Sequence, residues 1–137
     1  MTLFKACALG LLLFFGSCGS AEISTQDARK IVEALLHDLK NEQYERLDNY
    51  FTGAFNQSEP MEGKVQKFIR MLETTGPIES FEFLSEEKKY DEASGYNQLL
   101  LIYKVKCARV TLKETFIVVN DEGRAGIIFQ NMENWVD

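Results

Sequence analysis

A chain of 137 residues with 45% hydrophobic and 12% aromatic content can bury one core, and it is too apolar to stay disordered. Its net charge of −6 repels phosphate backbones, so no nucleic acid is expected as a partner. Three cysteines, one histidine and no Cys-x-x-Cys pair give no basis for expecting a metal or other cofactor. The chain opens with Lys5 and an apolar run over residues 6–16. A stable bilayer-crossing helix needs about 20 apolar residues, so this run is too short to anchor as a helix. It has the length and polarity of a secretory signal peptide, expected over residues 1–17. That segment holds Lys5 and no acid, so its removal takes the charge from −6 to −7.

The run ends in Phe15-Gly16-Ser17-Cys18. This tetrad resembles the lipobox of bacterial lipoprotein precursors, with Phe15 where leucine is usual. The resemblance implies cleavage between Ser17 and Cys18 and a diacylglyceryl group on the Cys18 thiol. The new N-terminus would then carry two or three acyl chains, which suffice for stable anchoring where one does not. Residues 18–23 form the tether. The five residues after Cys18 reach at most about 17 Å, which keeps the domain close to the bilayer. Gly19 is not the aspartate that resembles an inner-membrane retention signal, so an outer membrane is slightly favoured. The alternative is ordinary cleavage after Ala21, since Gly19-Ser20-Ala21 is a small-x-small site; Cys18 would then be lost and the domain secreted.

The domain proper is expected over residues 24–137. Ser24, with Asp27 three residues later, is a capping box. Ala28, Ile31, Val32, Leu35, Leu36 and Leu39 then recur at helical spacing, which predicts an amphipathic helix over 25–40. A short helical piece is expected over 42–51, with Tyr44, Leu47, Tyr50 and Phe51 inward, followed by a polar loop over 52–60. A further helix is expected over 61–74, using Val65, Phe68, Ile69 and Leu72 and stopped by Gly76-Pro77. The period then changes. Strands are predicted over 78–86, 96–106, 110–119 and 124–132, with a charged connection over 87–95 and a tight turn at Asn120-Asp121-Glu122-Gly123. Helices followed by consecutive hairpins give an α+β class, with N-terminal helices packed on a curved four-stranded antiparallel sheet. No repeat or linker suggests a second domain.

The capped first helix, then NEQYERLDNYF, TTGPIESFEF and FIVVNDEGRAGIIF, resembles the cystatin-like fold of nuclear transport factor two-like proteins. The similarity is greatest to small secreted or lipid-anchored domains of unknown function with that fold. It implies a curved sheet around a helix, leaving a cone that holds a ligand, an active site or nothing. Fold alone does not assign an activity. Enzymes of that superfamily place a carboxylate or a His–Asp pair in the cone, with a tyrosine as donor.

No such constellation stands out in the sequence. His37 falls off the apolar stripe, toward solvent or the core margin. Asp38 and Asp48 read as solvated, and the charged stretch from Ser85 to Glu92 as an exposed hairpin end. Cys107 is expected to pack as a small apolar side chain. Tyr103, Phe116 and Phe129 are the candidate cone residues, each also readable as plain core. The apolar runs 99–103 and 116–119 suggest coverage on both sheet faces, by a second copy, an envelope protein or the C-terminal segment with Trp135. The expectation is therefore a membrane-anchored envelope lipoprotein, not an enzyme, whose domain binds a partner protein or a small apolar ligand. The alternative is a cone-pocket enzyme of the isomerase or dehydratase type.

Overall fold

A computed structural model describes residues 21–137; the expected signal segment, Ser17 and Cys18 lie outside the described residues. Among the described residues three helices come first, α1 (Thr25–Lys40), α2 (Gly53–Ser58) and α3 (Met61–Thr75), with a 3-10 turn at Leu47–Asn49 between α1 and α2. Four strands follow: β1 (Ile78–Asp91), β2 (Tyr96–Cys107), β3 (Thr111–Asp121) and β4 (Arg124–Asn134). They pair in chain order as an open antiparallel sheet, and α1 crosses all four. The class is α+β, as the order of periods predicts.

The first helix begins where Ser24 accepts a hydrogen bond from the Asp27 amide, 3.1 Å away. It buries Ala28, Val32, Leu35, Leu36 and Leu39 against the sheet. The core face of β2 supplies Leu99, Leu101, Tyr103, Val105 and Cys107, and that of β3 supplies Leu112, Glu114, Phe116 and Val118. Both sets follow the period of two that a pleated strand imposes. Cys107 packs in this core, and burial pushes its thiol up from the ordinary value.

Several expectations are corrected. Residues 42–51 form only the 3-10 turn, although Leu47, Tyr50 and Phe51 are buried as expected. Residues 53–58 are not loop but α2, because the Thr52 hydroxyl accepts from the Phe55 amide at 3.2 Å and the Phe55 ring stacks on Phe51. The first strand continues to Asp91, leaving only four residues to connect it to β2. Its charged second half is an exposed edge strand, where solvated side chains and ladder bonds coexist. The turn at Glu122 and Gly123 has φ of 53° and 92°, the paired positive values of a type I′ hairpin.

Coverage on both faces holds only near the end of β3, where the consecutive Val118 and Val119 are both buried. In β2, buried residues alternate with the half-buried Leu100 and Ile102, so one face meets the helices and the other is partly open. Part of that outer face lies under the C-terminal segment: the Trp135 amide bonds to the Thr111 carbonyl at 2.9 Å, and its ring lies 4.4 Å from the Lys104 ammonium. Ladder irregularities at Leu84 and Ile128 are the kind that bend strands.

Candidate functional site

The helical layer does not close over the sheet at β4. Between α2, α3 and that strand lies a cavity of about 210 Å³, walled by Phe51, Phe55, Phe68, Phe129 and Met132. A cavity of ~150 Å³ suffices for a benzene ring, so this one admits a small organic molecule.

Local chemistry fixes its walls. Ahead of α2, the chain runs briefly parallel to β4: the Ile127 amide donates to the Tyr50 carbonyl at 2.9 Å, and the Thr52 amide donates to the Ile127 carbonyl at 3.1 Å. This approach needs Gly126, where a Cβ would sit 2.8 Å from Thr52 Cγ2. The Gly53 amide donates to Asp121 Oδ2 at 3.0 Å, and Arg124 donates to the Phe51 carbonyl at 3.0 Å. Phe51 and Phe55 are thereby stacked with ring centres 4.6 Å apart.

The polar groups of the wall are Gln130, Lys64, Lys67 and Glu59. Lys64 is only 2% exposed, yet its ammonium is fully engaged. It donates to Asn56 Oδ1 and to the Glu59 carbonyl, both at 2.8 Å, and it lies 2.5 Å from Asp48 Oδ1. That oxygen has no hydrogen bond of good angle, and the ion pair satisfies it instead. Lys67 pairs with Glu59 at 2.5 Å. Neither cation is left to hold an anion.

Behind Gln130 lies a group that sequence reasoning misses. Glu114 is 0% exposed, on the core face of β3, and its one hydrogen bond comes from Gln130 Nε2 to Oε2 at 3.2 Å. Its Oε1 has no partner among the described residues. Burial raises the carboxyl to about 7, against the opposing effect of the Gln130 bond. The signal is present in the chain: Glu114 shares parity with Leu112, Phe116 and Val118, so a period of two places it inward.

Of the three sequence-derived candidates, only Phe129 reaches the pocket, where it is 45% exposed. Tyr103 and Phe116 pack edge to face in the core, 5.9 Å between ring centres. The Tyr103 hydroxyl donates to Glu33 Oε1 at 3.1 Å, and burial followed by the Glu33 charge raises its pKa. Arg29 holds that carboxylate at 2.9 Å. The hydroxyl is thus committed to α1. His37 is exposed, with its ring edge to face against Phe81 at 5.1 Å, as its place off the stripe implies.

Asp38 corrects the solvated reading. It is buried, bonded to Arg46 at 2.6 Å and accepting from the Tyr50 hydroxyl. Burial and then this carboxylate push Tyr50 up to about 12. Asp48 is half-buried through its pairing with Lys64. Among the described residues, no group of three His, Cys, Asp or Glu side chains is placed to hold a metal ion.

The arrangement is suited to binding more than to proton transfer. A general base must come within about 2.6–3.2 Å of the proton it removes. Glu114 is separated from the cavity by Gln130 and does not line it. Compared with protein-family models, curated proteins and solved structures, the chain matches none of them.

Proposed function

We propose that the protein is an envelope lipoprotein, anchored through an acylated Cys18, with a non-catalytic cystatin-like domain that binds a small apolar molecule near the membrane. The sequence Phe15-Gly16-Ser17-Cys18 after an apolar run supports the anchor, and Gly19 favours the outer membrane. The helices-then-meander order, with α1 across the sheet, supports the cystatin-like assignment. The observation that carries the binding function is the cavity of about 210 Å³ with five apolar walls and a single unengaged polar surface, that of Gln130. The carboxylate that would favour the enzyme alternative lies behind that amide.

The test uses the full-length protein in membrane discs, titrated with 4-fluorotoluene and followed by fluorine NMR. Saturable binding is expected, and it should fall at least tenfold in Met132→Trp, whose indole fills the cavity from an exposed position on β4. Equal signals from wild type, variant and empty discs would contradict the reading.

A further inference from the structure

The chemical class of the ligand follows from what the pocket offers once its internal bonds are counted, taking the binding function above as given. A glutamine amide has two N–H donors and a carbonyl with two lone pairs. One donor of Gln130 is spent on Glu114, 3.2 Å away, which also fixes the direction of the amide plane. Its carbonyl and second N–H have no partner among the described residues, and the residue lines the cavity. A group that both donates and accepts fits that pair.

Charge is excluded from both sides. An anion would need a free cation, but the Lys64 ammonium already meets Asp48, Asn56 and the Glu59 carbonyl, and Lys67 meets Glu59. The buried carboxyl behind Gln130 adds no attraction for an anion. An organic cation would meet Phe51 and Phe55 rings that already face the Lys64 ammonium, 5.6 and 5.7 Å from their centres, would be repelled by that charge, and would stay separated from Glu114 by the amide. The remaining walls reward only apolar surface.

We propose that the pocket takes a neutral molecule with an apolar body and one hydroxyl or primary amide, and that Gln130, oriented by Glu114, reads that group. Gln130 is the contact and Glu114 a positioning residue. Because a hydrogen bond exchanged against water gives a modest net gain, the discrimination is several-fold.

Four probes of one shape test this on the full-length protein in membrane discs, with empty discs as the partition control: 4-fluorobenzyl alcohol, 4-fluorotoluene, 4-fluorobenzoate and 4-fluorobenzylamine. The alcohol should bind about fivefold more tightly than the toluene, with both ions at least tenfold weaker than the alcohol. In Gln130→Leu the alcohol should lose its advantage while the toluene still binds, a ratio that loss of fold would not produce. In Glu114→Gln, which still accepts from Gln130, the advantage should persist. The wild-type ranking decides even where Gln130→Leu does not fold. Toluene binding as tightly as the alcohol, or an ion binding best, overturns the assignment but leaves the pocket as a binding site. Failure of all four probes overturns both.

Discussion

Replacing Cys18 with serine should abolish incorporation of radiolabelled palmitate, which the wild-type protein should take up. The argument is one of magnitude. Each buried methylene of an acyl chain contributes ~0.8 kcal/mol to membrane affinity, and one myristoyl chain binds only marginally, with an association constant on the order of 10⁴ M⁻¹. Two or more chains convert that marginal binding into stable anchoring. No helix among the described residues is long and apolar enough to cross a membrane, so the described domain offers no spanning helix to replace them. In the Cys18→Ser variant, cleavage after Ala21 would release the domain from the membrane fraction. Equal label in wild type and Cys18→Ser would place the acylation elsewhere and contradict the anchor.

The second large effect belongs to Glu114. Its carboxyl stands at about 7 in the folded protein against an ordinary value of 4.5. The folded state therefore holds its proton more firmly than the unfolded chain, and the sign is fixed. The protonated group is fully accommodated below about pH 4.5, and stability is lost as pH rises through 7. At about 1.4 kcal/mol per pH unit of separation, the loss approaches roughly 3 kcal/mol by pH 8. Glu114→Gln keeps the shape and can still accept from Gln130, but it carries no proton to lose. The variant should match wild type near pH 4.5 and exceed it by roughly 3 kcal/mol at pH 8, read by denaturant unfolding at the two values. Parallel pH profiles for the two proteins would mean that Glu114 is not buried as described.

Long periodic segments are legible from the residues alone. The stripe from Ala28 to Leu39, closed at its start by Ser24, gives α1 within the bounds observed. The apolar runs at 99–103 and 116–119 mark β2 and β3, whose expected bounds hold to within two residues at each end. Short or charged elements are not legible, because tertiary contacts decide them. The second helix contains Gly53, Asn56 and Ser58, poor helix formers, and is held by the Thr52 cap and the Phe51–Phe55 stack. Charge misleads along β1, where an exposed edge tolerates lysine and glutamate throughout.

The pocket is partly legible. Phe129 stands out among the strand residues and Phe68 on the α3 stripe, but Phe55 comes from α2, which no local pattern announces. The buried acids are readable in principle. Asp38 stands three residues after Leu35 on the helical stripe, and Glu114 stands between Leu112 and Phe116 on the strand. Both escape a reading that treats every carboxylate as a mark of solvent. Period outranks residue type where the two disagree, since the backbone decides which way a side chain leaves it.

Intact mass spectrometry of the membrane-purified protein tests the proposed anchored state most directly. The account predicts a chain that starts at Cys18 and carries the added mass of a diacylglyceryl group, with or without a further acyl chain. An unmodified chain starting at Glu22 would contradict it.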